Sequence, residues 1–392
     1  MHEFNRLDPD RLVAAAIDAT GLDDFGAPEW REGLEQLAGS LTHEAALSDL
    51  GRVIAEEAIV GDLGNRLRVV AHRTDRPEIS DLPVSPPIVI VGQGRTGTTI
   101  LFDLLAQDPA TRVPLTWETD HPCPPPRTAT YDSDPRIATV DERLDALDVV
   151  LPGFRAMHPM GARLAQECVR VTVMDFRSMQ FPTQYRIPSY TRWLLDEADM
   201  ASAYRWHRFV LQHLASEHPA SRWVVKSPGH IWCLDALLAE YPDALLVQTH
   251  RDPLRIIASI GSLVAKLRSL ASDDTSIPAV SAEFADYIVD GLDRSVTART
   301  DGTIAPDRVI DVQFHEFMAD PFGTIRTVYE RLGLEFSAAI EAQMRGFLAE
   351  HPQDKFGGHR YTWAATELDE GEWRDRVERY VTHFDVMPEP LP

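Results

Sequence analysis

A strand, a glycine-containing turn and the start of a helix follow one another within residues 86–108, and this stretch constrains the fold more than any other. Ile88 to Val91 is an apolar, β-branched run, short enough to be a strand buried on both faces. The turn reads GQGRTG over residues 92–97, and an apolar helical stretch follows it. Backbone N–H groups converge at such a junction, and the helix dipole favours an anion. The stretch therefore predicts a phosphate-binding turn in an α/β fold.

The turn resembles a P-loop with one difference. Gly92 and Gly97 stand where the two glycines of G-x-x-x-x-G-K-[ST] stand, but Thr98 replaces the lysine. That lysine reaches the terminal phosphates of a nucleoside triphosphate, so the threonine disfavours ordinary ATP or GTP hydrolysis. The anion needs another cation, and the planar fork of Arg95 suits a tetrahedral oxyanion. A glycine-rich turn that binds no ligand is the alternative.

Charge and cysteine content limit the partners and the compartment. The 392 residues carry a formal net charge of −23, which argues against a broad nucleic-acid surface or an anionic membrane as partner. Cys123, Cys168 and Cys233 lie far apart and are typical of reduced thiols in the cytosol. No signal-peptide pattern and no apolar run of membrane-spanning length is recognised. We therefore expect a cytoplasmic protein with no nucleic-acid partner and no membrane span.

The chain is expected to divide into a helical N-terminal extension, residues 1–84, and an α/β domain, residues 85–392. In the extension, Asp8 and Pro9 start a helix that ends near Gly21, and further helical patterns cover roughly residues 30–37 and 45–73. No chemistry is recognised there, so packing, a lid and a dimer surface all remain open. The proline-rich segment 77–87 marks the boundary.

Further strand candidates alternate with helices along the second region. They cover residues 113–118, 223–226, 244–249 and 309–312. Together with the first strand they predict a P-loop-like core, in which a central parallel sheet of about five strands is flanked by helices. Ligands bind at the carboxyl ends of such strands, where Arg95, Glu118, Lys226 and Arg251 all fall.

Lysine is rare in this chain, because only three of its 38 basic residues are lysines. A retained lysine hints at a role that arginine fills poorly, such as a compact point charge. Lys226 begins the segment KSPGH, which ends at His230. The mostly helical segment 134–215 is rich in aromatic residues, which as a group could line an apolar acceptor pocket.

These residues resemble the sulfotransferases that use 3′-phosphoadenosine 5′-phosphosulfate (PAPS), particularly a bacterial branch of that superfamily. The family's first loop, roughly G-x-x-R-[ST]-G-T-T, matches residues 92–99, and its second motif, an arginine with a serine eight residues later, matches Arg251 and Ser259. The resemblance implies that the second motif binds the 3′-phosphate. The residues it assigns to the 5′-phosphosulfate are Gly94, Arg95, Thr96, Gly97, Thr98 and Thr99.

The resemblance spans roughly residues 85–385 and implies catalytic residues as well. A carboxylate on the strand after the first helix falls on Glu118, and a lysine before the third crossover helix falls on Lys226. A late glycine-bearing donor loop matches residues 355–361. Its expected donor contacts are Lys355, Gly357, Gly358, His359 and Arg360.

The activity implied is in-line transfer of a sulfuryl group from PAPS to a hydroxyl of a small apolar or phenolic acceptor, without a metal. Glu118 would accept the proton of the acceptor and Lys226 would stabilise the leaving oxygen, with His230 the main alternative base and His121 and His158 weaker ones. A homodimer remains open. The alternative functions are a non-catalytic P-loop nucleotide-binding or regulatory protein and a degenerate kinase.

Overall fold

The computed structural model describes residues 7–85, 87–352 and 359–392, and its centre is a parallel sheet of five strands. The strands are β1 Ile88–Val91, β2 Thr111–Arg112, β3 Arg222–Lys226, β4 Leu245–His250 and β5 Val309–Gln313. Their order is β2-β3-β1-β4-β5, and every pair is parallel. The predicted parallel sheet is therefore confirmed. Because β1 lies in the middle, its carboxyl end meets the ends of β3 and β4.

Three helices precede the sheet and pack onto it. They are α1 Pro9–Thr20, α2 Trp30–His43 and α3 Asp49–Asp75. The Asp8 side chain caps α1 by accepting a hydrogen bond from the Arg11 N–H at 3.0 Å, and Gly21 ends that helix at φ +69°, as the sequence predicts. Leu34 and Leu63 belong to one hydrophobic core with Val89 of β1. The N-terminal extension and the sheet therefore share one core. The domain boundary between residues 84 and 85 stays a prediction.

Helices fill the remaining connections. Between β1 and β3 they are α4 Thr98–Leu105, α5 Thr116–Asp120, α6 Pro135–Val150, α7 Phe154–Met157, α8 Val169–Thr172, α9 Gln180–Gln184, α10 Pro188–Asp196 and α11 Met200–Ala215. After β3 they are α12 Leu234–Glu240, α13 Pro253–Arg268, α14 Ile277–Thr300, α15 Phe314–Ala319, α16 Pro321–Arg331, α17 Ala338–Glu350, α18 Glu370–Arg376 and α19 Glu378–Phe384. Within the described residues, none of the helices combines the length and the apolarity that a membrane crossing requires.

The prediction of a strand over residues 113–118 is wrong. The strand that pairs with β3 is Thr111–Arg112, and Glu118 lies inside the short helix α5. Pro114 has no N–H to donate to a strand ladder, so the pairing stops before it. The Glu118 carboxylate then accepts a hydrogen bond from the Leu115 N–H at 2.8 Å, which closes the first turn of the helix.

The two faces of the sheet carry different layers. Val89 of β1 and Val225 of β3 pack into the core shared with the N-terminal helices. Ile90 and Val224 face the opposite layer, which contains Phe102 of α4. Because side chains alternate along a strand, Lys226 follows Val224 onto the face that carries α4.

Candidate active site

The turn between β1 and α4 has the backbone of an anion-binding loop. Gly92 has φ +133°, and a Cβ atom there would lie 2.6 Å from the Thr249 hydroxyl oxygen. Only glycine fits this approach. The Thr96 hydroxyl donates to the Gln93 carbonyl at 2.6 Å, which fixes the loop internally. Gly97, at φ +87°, precedes α4 and supplies no side-chain cap. The first N–H groups of α4 are therefore left for an anion.

Both predicted phosphate motifs meet at Arg95. Its Nε donates to the Ser259 hydroxyl at 3.0 Å, and its Nη1 donates to the Met157 carbonyl at 3.0 Å. Arg251, directly after β4, donates from Nη1 to the backbone carbonyl of Arg95 at 2.9 Å. Burial lowers the pKa of the Arg95 guanidinium, and the positive charge of Arg251 lowers it further. The two arginines therefore lie close enough for their charges to interact.

The rest of the Arg251 guanidinium binds a carboxylate from the C-terminal segment. Its Nε and Nη2 donate to the two carboxylate oxygens of Glu389 at 2.8 and 2.9 Å. Arg255 Nε lies 3.5 Å from the same carboxylate. The Glu389 N–H donates to Asp252 at 2.7 Å, which holds the segment in place. A carboxylate therefore occupies the bidentate donors that the sequence assigns to a phosphate.

Lys226 lies on the other side of the turn. Its ammonium group is buried and donates to the Thr99 hydroxyl at 3.4 Å. It also forms a close ion pair with Glu167, and it lies 5.8 Å from the centre of the Phe102 ring. The structure thus places the predicted lysine beside the first turn of α4.

Glu167 and Asp103 surround this lysine, and the sequence analysis did not identify either. Burial alone would raise the pKa of Glu167, but Lys226 and His158 reverse this effect, so its pKa is lowered. On α4, burial raises the pKa of Asp103 to about 7, while Lys226 acts in the opposite direction. Burial lowers the pKa of His158, and its Nδ1 atom is buried without a hydrogen-bond partner. No local motif marks Glu167, since only the folded chain brings it to Lys226.

Glu118 and His230 both lie in buried surroundings. Glu118 is 0% exposed, and its second oxygen accepts from Arg112 Nη2 at 2.6 Å. His230 lies in the 3-10 turn Pro228–Trp232, where burial, supported by nearby cationic groups, lowers its pKa to about 3. Its Nδ1 lies 2.8 Å from the Tyr204 hydroxyl oxygen, and the residue lines a cavity of about 310 Å³. The base role stays a prediction for both residues.

The late donor loop is described only in part. Lys355, Gly357 and Gly358 lie outside the described residues. His359 Nε2 lies 3.1 Å from the hydroxyl oxygen of Ser262, and burial followed by the charge of Arg95 lowers its pKa to about 4. This histidine therefore lies near the first turn, whereas Arg360 is exposed.

Metal ligands are not clustered in the described parts of the chain. Over residues 7–85, 87–352 and 359–392, no group of three or more His, Cys, Asp or Glu side chains is arranged to hold an ion.

Comparisons with known proteins identify the family of this chain. A sequence model described as the sulfotransferase family matches residues 86–338. The crystal structure of sulfotransferase STF9 from Mycobacterium avium is 33% identical, with a TM-score of 0.88, over 96% of this chain and 97% of that one. For sulfotransferase STF1 from Mycobacterium tuberculosis H37Rv, the identity is 32% and the TM-score 0.83, over 95% and 98%.

A curated relative has a more specific name. The chain is 25% identical over 301 residues to omega-hydroxy-beta-dihydromenaquinone-9 sulfotransferase Stf3 from Mycobacterium bovis, which covers 75% of each protein.

Proposed function

The chain belongs to the sulfotransferase family, as the sequence motifs predict, and we propose on that basis that it transfers the sulfuryl group of PAPS to the hydroxyl of a small apolar acceptor. The observation that carries the proposal is the contact of Arg95 with both Ser259 and Arg251. It joins two anion-binding elements at one edge of the sheet. A donor with a phosphate at each end of its ribose has the matching charges.

Different residues bind the two charged ends of the donor. The 5′-phosphosulfate lies against the turn, with the N–H groups of residues 94–99 and the Arg95 guanidinium as donors. Arg251 and Ser259 hold the 3′-phosphate. Lys226 donates a hydrogen bond to the bridging oxygen as the S–O bond to it breaks and the S–O bond to the acceptor forms. Preorganised cations stabilise this developing charge.

The proton of the acceptor needs a base, and the sequence predicts Glu118 or else His230. Both remain candidates. Each oxygen of Glu118 already accepts a hydrogen bond, one from Arg112 and one from the Leu115 N–H. His230 has a pKa near 3, so it is neutral at physiological pH but weakly basic. Neither residue has a described hydrogen bond to Lys226.

An apolar acceptor is favoured by the surroundings of the turn. Phe154 and Leu263 form a small hydrophobic cluster with Met157, whose carbonyl accepts a hydrogen bond from the turn arginine. The relative named for a hydroxylated menaquinone supports the same class.

Product formation tests this function. The protein is incubated with PAPS and a panel of a long-chain alcohol, a phenol and an anionic polysaccharide, with and without EDTA, and mass spectrometry follows the gain of one sulfonate. We expect sulfation of the alcohol or the phenol that survives EDTA. If the protein binds the nucleotide but sulfates nothing, it is a nucleotide-binding protein. A rate that EDTA abolishes and magnesium restores would point to a kinase.

Donor selectivity is predicted to depend on Arg251. Adenosine 3′,5′-bisphosphate should bind more tightly than adenosine 5′-phosphate, and Arg251→Ala should narrow the difference by about 10- to 100-fold, because hydrogen bonds to charged groups contribute about 1.5–3 kcal/mol. Isothermal titration calorimetry measures both affinities. Arg345→Ala, which changes an exposed arginine paired with Glu341, is the matched control. Equal affinities for the two nucleotides in the unmodified protein would contradict the assignment of the 3′-phosphate to Arg251.

Glu389 is predicted to compete with the donor. Because its carboxylate occupies two donors of Arg251, the 3′-phosphate has to displace it. Glu389→Gln should therefore tighten the binding of adenosine 3′,5′-bisphosphate several-fold and leave that of adenosine 5′-phosphate nearly unchanged. Calorimetry is again the measurement, with Glu378→Gln on the exposed face of α19 as control. Weaker binding of the bisphosphate would mean that Glu389 orients Arg251 instead.

A further inference from the structure

We infer that Glu167 is the group that accepts the proton of the acceptor hydroxyl. This inference depends on the proposed sulfuryl transfer, and it starts from Lys226. The buried ammonium group of that lysine contacts both the Thr99 hydroxyl and the Glu167 carboxylate. Thr99 lies in the first turn of α4, next to the proposed phosphosulfate site. Lys226 therefore connects the carboxylate to that site.

The backbone holds Glu167 in this position. The N–H of Cys168 donates to the Lys226 carbonyl at 2.9 Å, and the N–H of Gln166 donates to the Pro114 carbonyl at 2.8 Å. The residues on both sides of Glu167 are thus fixed to the carboxyl end of β3 and to the segment after β2. A proton acceptor needs this kind of support, since small displacements at a reacting centre cost much of the rate.

Glu167 is more accessible to solvent than Glu118. The Glu167 side chain is 18% exposed, whereas that of Glu118 is fully buried against Arg112. A base has to touch the acceptor oxygen, so an enclosed carboxylate paired with a buried arginine is poorly placed. The lowered pKa of Glu167 also keeps it ionised at neutral pH.

The charged and titratable groups around Lys226 are Glu167, Asp103, His158, Cys168 and His230. Asp103 faces it from α4, and His158 couples to Glu167 from the end of α7. Asp103 is almost fully buried, and its raised pKa shows that its ionised form is costly. Glu167 alone of these combines a direct ion pair with Lys226 and partial exposure.

The acceptor O–H gives its proton to a Glu167 carboxylate oxygen, and the electron pair of that bond forms the new S–O bond. The S–O bond to the bridging oxygen breaks, and its electron pair stays on the nucleotide. When Lys226 donates to that bridging oxygen, its pairing with Glu167 weakens, so the carboxylate becomes more basic as the proton is transferred. Adenosine 3′,5′-bisphosphate leaves, and the proton on Glu167 returns to solvent.

Two acceptors that differ in their need for a base provide the test. Glu167→Gln keeps the size of the side chain but removes its basicity. With an aliphatic alcohol its kcat should fall by about 10²- to 10⁴-fold, the usual contribution of a general base. With a nitrophenol that is already ionised at the assay pH the loss should be much smaller. An unchanged affinity for adenosine 3′,5′-bisphosphate, measured by calorimetry, would confirm that the variant is folded.

The outcomes are distinct. An equal loss with both acceptors would make Glu167 a structural partner of Lys226, and no loss with either would also overturn the inference. The same two assays are applied to three further variants, Asp103→Asn, Glu118→Gln and His230→Gln. If one of these variants loses activity with the alcohol but not with the nitrophenol, and Glu167→Gln does not, the residue changed in that variant is the base. Glu372→Gln, an exposed glutamate of α18, is the matched control. If the unmodified protein sulfates neither acceptor, the proposed function fails instead.

Discussion

Replacing Lys226 by arginine is expected to lower kcat by about 10²- to 10³-fold, the usual cost of losing one preorganised donor to a developing negative charge. The ammonium group is enclosed by Thr99, Glu167 and the ring of Phe102. A guanidinium is larger and planar, so it cannot present a compact point charge to one oxygen in that space. Arginine retains the positive charge next to Glu167, so that carboxylate keeps an ion-pair partner. Single-turnover kinetics with saturating PAPS measure the effect on chemistry.

Lys266 provides the matched control for this substitution. It lies in the last turn of α13, half-buried, and Lys266→Arg makes the same chemical change away from the turn. We expect normal turnover from that control, and nearly normal affinity for adenosine 3′,5′-bisphosphate from both variants. A Lys226→Arg variant with the kcat of the unmodified protein would reduce Lys226 to a structural cation. A variant that binds the bisphosphate poorly would place the lysine in donor binding.

The proximity of Arg95 and Arg251 could be predicted from the sequence, because the signals that place each residue are local. The order of strand, turn and helix over residues 86–108 is set by neighbouring residues, and the glycine at position 92 is required by its own approach to Thr249. Arg251 likewise follows a strand directly. In a parallel sheet the carboxyl ends of neighbouring strands lie at the same edge. Predicting β1 and β4 therefore also predicts that Arg95 and Arg251, which follow these strands, lie close together.

The ion pairs of Lys226 with Glu167 and of Arg251 with Glu389 could not be predicted, because each joins residues far apart in the chain. Glu167 is 59 positions from Lys226, and Glu389 is 138 positions from Arg251. No spacing rule connects such residues. The carboxylate that the resemblance assigned, Glu118, was placed on a strand by its apolar neighbours. Pro114 and the capping hydrogen bond to Leu115 redirect the chain, and Arg112 then binds that carboxylate within the protein.

The second large effect concerns stability, and it originates where the N-terminal helices join the rest of the chain. Asp175 is buried between two arginines, with Arg66 Nη1 of α3 at 3.2 Å and Arg177 Nη1 at 3.4 Å. It also accepts a hydrogen bond from the Ser202 hydroxyl at 2.9 Å. Arg66 also donates to the Phe25 carbonyl at 2.8 Å, so the network connects α3 and the loop between α1 and α2 to the segment between β2 and β3.

Asp175→Ala should lower the free energy of unfolding by about 3–5 kcal/mol, because it leaves the buried Arg66 guanidinium without its ion-pair partner, whereas Arg177 keeps Glu32. Burial already lowers the pKa of Arg66 to about 10 even with Asp175 present, which shows how costly its charge is at this position. Denaturation in urea, followed by tryptophan fluorescence and circular dichroism, measures the change. Domains are stable by about 5–15 kcal/mol in total, so a loss of this size is a large fraction.

Asp10→Ala is the matched control, since Asp10 of α1 pairs with Arg31 of α2 on the exposed surface of the same helices. It should change the unfolding midpoint little, and an Asp175→Ala variant as stable as this control would contradict the assigned network.

The number of unfolding transitions tests whether the N-terminal extension folds separately. A separately folded extension would lose stability in a transition of its own and leave that of the sheet unchanged. Because Leu34, Leu63 and Val89 share one core, we expect a single transition that shifts as a whole.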